Sequence, residues 1–570
     1  MNERTKTGLE ILQAAVLLGV LGDVLLRQMP WGLNVLLFIG ALVAAMTMLI
    51  LRRRREFWSG QTIALNVALV FFAAMFVWRD STELRAFDTM AILTILAILT
   101  LPALKIKTQI AGVFHYFIGF AWSGISAAFA PFYLVFGDVD WKTIPQTGWS
   151  KHLIAVLRGV AIAVPILLVF GALFVAADAV FQGIVERTFN IPPDEVVAHI
   201  FAIGFFTWIT AGYLRGSLIQ NLAHEAADIS ITPKDEIKPQ VASVTEIKDE
   251  EIKPPVASVT EIKDEEPPKA EEAPKKEEKK TWSWQNFDNS VLPNLFTLGA
   301  IEVSVVLGLI NLLFLSFVIV QIPYLFGGFE LVQNTPDFKL AEYARRGFGE
   351  LVTVAALVLP ILLVSHWLLR KDSPANEKIY RVLAGIQIVL LFVIMVSAAQ
   401  RLFILTGNLG YGLTTVRFYP MIVMIWLAVV FVWFTMTVLR GAREKFAWGA
   451  LWSAVFLLGA LHFVNPDEYI VRTNIRLMQE GRSFDAAYNS NLSDDAVPVL
   501  LENLPIMSFE QQCRVKWKFL NRLDYYKAKM DFRSWNYSRR TARNAIEQNA
   551  QTFDAANCPN YTKSYYHDDF

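Results

Sequence analysis

The chain has 570 residues, 54% hydrophobic and 18% charged, and its 52 basic and 52 acidic side chains give a formal net charge of zero. With a mean hydropathy of +0.39, a water-soluble fold would be left with large exposed apolar patches, and the balanced charge supplies no basic field for nucleic acid. The only two cysteines, Cys513 and Cys558, exclude a cysteine-rich metal array and allow at most one intramolecular disulfide.

Long apolar runs cut by short charged loops dominate the chain, and about twelve are long enough to cross a bilayer. The first half carries them at 8–26, 31–51, 62–78, 87–104, 109–136, 153–182 and 196–219. The second half carries them at 292–325, 347–369, 379–400, 419–439 and 446–464. Helices satisfy their own backbone polar groups in lipid. The predicted fold is therefore all-α, a polytopic transmembrane bundle in two halves, with the lipid bilayer as its first partner. Trp31, Trp78 and Trp448 sit at run boundaries, as amphipathic rings do at headgroup level. The start, MNERTKTGLEILQ, is basic but is not followed by a small-residue cleavage site, so the first run is expected to remain a membrane helix.

Residues 224–290 differ in character. IKPQVASVTEIKDEE at 237–251 is followed by IKPPVASVTEIKDEE at 252–266, and only Gln240 against Pro255 differs. Such a charged, weakly apolar segment cannot bury enough surface to offset chain entropy, so it reads as a disordered linker between the halves, 1–223 and 291–464. Two near-identical copies could also present one docking motif twice to a protein partner.

Lys and Arg set the orientation. Arg52, Arg53, Arg54 and Arg55 follow the second run and put the N-terminus in the cytoplasm; the loops with Arg370, Lys371 and Lys378 and with Arg440, Arg443 and Lys445 put the linker there too. Five runs lie between Arg55 and the linker, and five crossings cannot return the chain to one side. Either one run is re-entrant, with the small-residue stretch WSGISAAFAPF at 122–132 as its expected place, or one run merges or hides a further crossing. The second half alone places residues 465–570 outside the cytoplasm.

These last residues are soluble in character and read as a small helical domain. Ser508 and Gln511 form a capping box before SFEQQCRVKWKFLNRL, and Phe509, Cys513, Trp517 and Leu520 share one helical face. Ser493 with Asp494 and Asp495 reads as another helix start, with acid at the positive end of the helix dipole. Through this domain or the 224–290 linker the chain could meet a protein partner.

Ionisable groups inside a membrane are expensive and face a bundle interior or a wet cavity. The candidates are Asp23, His115, Arg158, Asp178, Glu302 and His366; Glu302 leads, with Asn311 as a possible companion. Pro165 and Pro360 stand in identical PILLV settings and predict one kinked helix in each half. Glu342, Arg345 and Arg346, at helical spacing in the loop 324–350, form a candidate anion or headgroup contact. No phosphate-binding glycine loop, nucleophile elbow, HExxH or paired-cysteine knuckle occurs, so the sequence names no catalytic residue, metal or cofactor.

The stretches WRDSTELRAF (78–87), AADAVF (176–181), YLFGG, AEYARRGF, YGLTTVR (411–417), NPDEYIVRTNIRL (465–477) and SDDAVPVL (493–500) together resemble a family of bacterial polytopic inner-membrane proteins of unknown function, DUF4173-like. The resemblance covers nearly the whole chain outside 224–290. It implies an inner-membrane location and a helical C-terminal region, and no activity. Three roles stay open, in this order: a non-enzymatic sensing or scaffolding protein of the envelope, a transporter or channel using Glu302, and a membrane-embedded enzyme on lipid-linked substrates.

Overall fold

The computed structural model describes residues 3–141, 193–219, 299–326, 348–370, 373–408, 411–529, 531–550 and 558. Among them all regular structure is helical. Eleven helices are long and apolar enough to cross a membrane, which makes this an integral, multi-pass membrane protein. Six belong to the first half: α1 (Glu3–Leu26), α2 (Leu33–Arg53), α3 (Gly60–Trp78), α4 (Thr82–Leu99), α5 (Val113–Tyr133) and α6 (Pro193–Leu218). Five belong to the second: α7 (Ala300–Phe326), α8 (Phe348–Leu368), α9 (Pro374–Phe403), α10 (Thr415–Thr437) and α11 (Phe446–Val464). The expected run 153–182, with Pro165, lies outside the described residues, as does the 224–290 linker.

Local chemistry sets the boundaries. Ser59 caps α3 by accepting from the Thr62 amide at 3.3 Å, and Ser373 followed by Pro374 opens α9. Arg52 and Arg53 close α2 at the negative end of its dipole. Asn465 ends α11 at φ +54°, a left-handed conformation that asparagine tolerates, and Pro466 then starts a new helix in another direction. Leu17, Val67, Phe117, Leu313 and Phe456 are exposed on the outer surface, where hydrocarbon can cover them.

Each half has its own core. In the first, Leu18, Leu42, Leu69 and Phe72 pack with Leu214 of α6; in the second, Leu307, Ala355, Leu391 and Phe431 pack together. Helix α11 joins the two, with Leu451, Trp452 and Val455 on the first core and Phe446 in the second.

Hydrogen bonds show which helix ends meet. Arg53 reaches Glu3 at 2.8 Å and Glu10 at 2.7 Å, Arg54 Nε donates to Leu218 O at 3.0 Å, and Thr108 bonds Gln61 at 2.8 Å. Arg4 and Arg215 both hold Asp138, just after α5. The N-terminus, Arg52–Arg55, the start of α3 and the C-terminal end of α6 therefore share one end of the bundle, the near end. Both flanks of α5 also lie there, at Thr108 and at Asp138, where the helix passes into a π turn (Leu134–Asp138). The segments before and after this helix are thus both held by near-end groups. The chain thus leaves Trp141 at the near end, while α6 starts at the far end, with His199 beside Asp23 near the end of α1. The parity conflict in the run count disappears.

The last residues form five helices at the far end: α12 (Pro466–Gln479), α13 (Ala486–Asn491), α14 (Val497–Glu502), α15 (Phe509–Lys529) and α16 (Tyr537–Ala550). Ser508 and Gln511 make the capping box, at 2.9 and 3.4 Å. The buried stripe of α15 is Val515, Phe519, Leu523 and Tyr526, while Phe509 is 61% exposed. Of the expected stripe, Cys513 is buried and Leu520 packs on the core, while Phe509 is left outside; α13 and α16 are the helices that pack on α15. Cys513 and Cys558 form a disulfide with Cα atoms 5.5 Å apart. The core of these helices is continuous with the membrane bundle: Leu84, Phe418, Tyr419 and Leu461 belong to the same cluster as Ile470, Leu500 and Ala542.

Candidate functional site

The densest polar structure lies where the C-terminal helices sit on the far end of the bundle. It starts from the short turn between α3 and α4, Arg79–Asp80–Ser81, too tight to cover its own backbone amides. Asp495 covers them: its carboxylate accepts from the Asp80 amide at 2.8 Å and the Ser81 amide at 3.2 Å. It also accepts from Arg79 at 3.2 Å and from the Ser538 hydroxyl on α16. Asp495 is buried, and one carboxylate so joins α3, α4, the segment before α14, and α16.

Arginines complete the joint. Arg79 stacks on Trp78 at 4.5 Å and donates to His462 O of α11 at 2.8 Å. Arg539 pairs with Asp80 at 2.8 Å and donates to Trp31 O at 2.8 Å, and Arg85 pairs with the same carboxylate. Asn536 bonds the carbonyls of Phe76 and Arg79, both at 2.8 Å, and the Leu33 amide donates to Trp535 O at 3.0 Å. Gly32 is required at this approach, since a Cβ there would lie 2.5 Å from Trp535 O.

Two further carboxylates lie beneath. Asp467, in the first turn of α12, accepts from the Ser493 hydroxyl and amide, and burial pushes it up to about 6 against those hydrogen bonds. Asp494 pairs with Arg522 at 3.0 Å; burial, then the negative charge of Asp80, raises it to about 6. Below them, His462 of α11 and Asp88 of α4 form a pair at 2.9 Å, both almost wholly buried, which ties the two halves together inside the bundle. Among the described residues no three His, Cys, Asp or Glu side chains form a metal-binding group. The arrangement is a set of paired, buried charges, which fixes relative position and is broken at high cost.

Directly under this joint is an apolar cavity of about 370 Å³ between α4, α10 and α11.

The residues singled out in the sequence are placed differently. Glu302 is exposed in the first turn of α7, because the described helix begins at Ala300 and leaves the carboxylate at its end rather than at mid-membrane. Asn311 is buried and donates to Leu383 O at 2.9 Å, packing α7 on α9; it and Glu302 are not brought together. Asp23 is buried and meets His199 at 2.6 Å and Arg27 at 3.9 Å. His115 caps the start of α5 by accepting from the Gly112 amide, and His366 packs on the Tyr380 ring at 5.1 Å. Pro360 lies inside α8. Arg158, Asp178, Glu342, Arg345 and Arg346 lie outside the described residues.

Asp80, Asp88, His462 and Asp467 carried no signal as single residues. Asp494 and Asp495 were read as dipole-facing acids of a helix start. Ser493 does cap that turn, but both carboxylates turn inward to arginine. The available clue was that WRDSTELRAF and NPDEYIVRTNIRL, segments of the family resemblance, carry both acids and arginine, and that SDDAVPVL carries two adjacent acids.

Residues 66–245 and 256–503 match the family described as Domain of unknown function (DUF4153). The resemblance drawn from the sequence pointed to DUF4173; the number is corrected, and the character of the family is unchanged. The match includes most of the linker, interrupted only at 246–255, and stops before α15 and α16, so Arg539 and Ser538 contribute to the joint from outside it. Neither a curated protein nor a solved structure matches the chain. With about three-quarters of its length matched, this integral membrane protein belongs to the DUF4153 family.

Proposed function

We propose that the protein is a non-enzymatic sensing or scaffolding component of a bacterial inner membrane, with its C-terminal domain facing the envelope. One observation carries the reading: Asp495 and its partners lock that domain onto both halves of the bundle, so a load on the domain is a load on α3, α4 and α11. Orientation follows from charge. Arg52–Arg55, Lys105, Lys107, Arg215, Arg370, Lys378, Arg440, Arg443 and Lys445 belong to near-end segments, which favours a cytoplasmic near end. The Cys513–Cys558 disulfide belongs to the far end, which favours an oxidising compartment there. The transporter reading rests on Glu302, which is exposed in the first turn of α7.

The test combines sidedness with a phenotype. Single cysteines at Glu56 and Tyr525, in a Cys513→Ser/Cys558→Ser background, are probed in intact cells with a membrane-impermeant maleimide. Position 525 should react and position 56 only after permeabilisation; the reverse pattern overturns the orientation. A strain carrying Asp495→Asn at normal abundance should show the envelope defect of the deletion strain. Normal envelope behaviour, or solute flux in proteoliposomes that Glu302→Gln abolishes, would overturn the scaffold reading.

A further inference from the structure

The cavity beneath the joint has a definite shape. Its roof is the Phe87–Tyr419 ring pair, 5.6 Å between centroids, with the Tyr419 hydroxyl 3.3 Å from Ser81 Oγ. Its back wall is α11, through Leu451, Ala454 and Leu458. Helices α4 and α10 touch at the roof and are separated below it by the cavity, which Met90, 64% exposed, borders from α4. The walls are therefore closed toward the far end and toward α11, and open at the side, where the flanking surface is itself exposed and apolar: Leu93 and Val429 are both about half exposed.

We infer that this cavity binds one acyl chain of a membrane phospholipid, which enters sideways between α4 and α10. The lining is almost entirely carbon, and all the helices that line it are membrane spans. Apolar cavities of this kind stay dry, so water does not fill the space. A water-soluble ligand would find little to orient it, because the hydroxyl of Tyr419 is engaged by Ser81 and Thr94 is the one other hydroxyl in the lining. A hydrocarbon chain needs only dispersion contact with close-packed walls, and the bilayer supplies it at the open side. The volume lies in the range of small-ligand pockets. The chain would then form part of the seam between the halves, below the His462–Asp88 pair. The inference stands apart from the proposed role and holds whether or not the protein is a scaffold.

The test uses the full-length protein in lipid nanodiscs containing a phospholipid with a photoreactive diazirine in one acyl chain. After irradiation, adducts are mapped by peptide mass spectrometry. Adducts are expected on the back wall at Leu451, Ala454 and Leu458, as well as at outward-facing Phe456, which sees bulk lipid in any case. Filling the cavity by Ala454→Phe, or from the opposite wall by Ala91→Phe, should abolish the adducts at Leu451 and Leu458 and leave Phe456 labelled. Two independent fillings guard against one variant failing to fold, and the wild-type map stands without either. Labelling of Phe456 without Leu451, Ala454 or Leu458 overturns the inference. Back-wall labelling that survives both fillings does so as well. A free photoreactive fatty acid run in parallel decides the source: back-wall adducts from it alone, with none from the phospholipid, overturn the assignment to a phospholipid chain.

Discussion

Replacing Asp495 by Asn keeps the shape of the side chain and removes its charge. Asn can still accept from the Asp80 and Ser81 amides, which share one carboxylate oxygen, but Arg79 loses its counter-ion at 3.2 Å while only 12% of its side chain is exposed. Breaking a buried pair by removing one partner costs about 3–5 kcal/mol, and the hydrogen bonds that Asn retains argue for the lower part, about 3–4 kcal/mol. That energy should appear as undocking of the C-terminal helices. The Leu33 amide reports on it, because its acceptor, Trp535 O, belongs to those helices. At about 1.4 kcal/mol per factor of ten, its hydrogen exchange should speed up by two to three orders of magnitude. The double variant Arg79→Met/Asp495→Leu should exchange more slowly than Asp495→Asn, since replacing both charges by apolar groups removes the stranded arginine. Unchanged exchange in Asp495→Asn, or a double variant as fast as the sum of the singles, would refute the joint as an energetic lock.

Gly32→Val should loosen the same contact through a direct clash with Trp535 O, giving faster protease cutting at 531–538 with little change in the cores of the two halves. Acid should strengthen docking. Asp467 and Asp494 have folded values raised to about 6, above the ordinary 3.8, so the folded state binds more protons and stability rises as pH falls from 7 toward 4. A shift of about two units corresponds to roughly 3 kcal/mol for each group, and Asp467→Asn should remove its share from a plot of Tm against pH; a plot that Asp467→Asn leaves unchanged counts against this. Opening the Cys513–Cys558 loop, a separation of 45 residues, should lower stability of the C-terminal domain by roughly 4 kcal/mol on the chain-entropy account, measured by calorimetry of Cys558→Ser.

The fold was legible because bilayer thickness writes itself into run length. Among the described residues, eleven helices long and apolar enough to cross lie where apolar runs were read, and charge at the near end follows the same rule. A mismatch in counting pointed to an irregular crossing in the first half, where both flanks of α5 are held at the near end. The joint was not legible. A carboxylate such as Asp495 looks like any surface acid until the turn it serves is known, and its partners lie at 79–81 and at 538. Local pattern favours the bland reading, a helix start, which is half right because Ser493 does cap the turn. Glu302 illustrates another limit: a lone acid among apolar letters suggests depth, whereas the start of its helix at Ala300 puts it in the first turn, a boundary that hydropathy blurs.

The span between the partners of the joint bears on how the protein is made. Asp80 and Arg539 are separated by 459 positions, and Arg79 and Asp495 by 416. Ribosomes deliver Arg79, Asp80 and the bare amides of their turn long before α16 exists. Through most of synthesis this charged turn must therefore wait at the membrane surface, and the halves close on it only at the end. A nascent chain stalled before α16 would display an uncovered arginine–aspartate turn, a ready mark for chaperones and proteases to tell an unfinished molecule from a finished one.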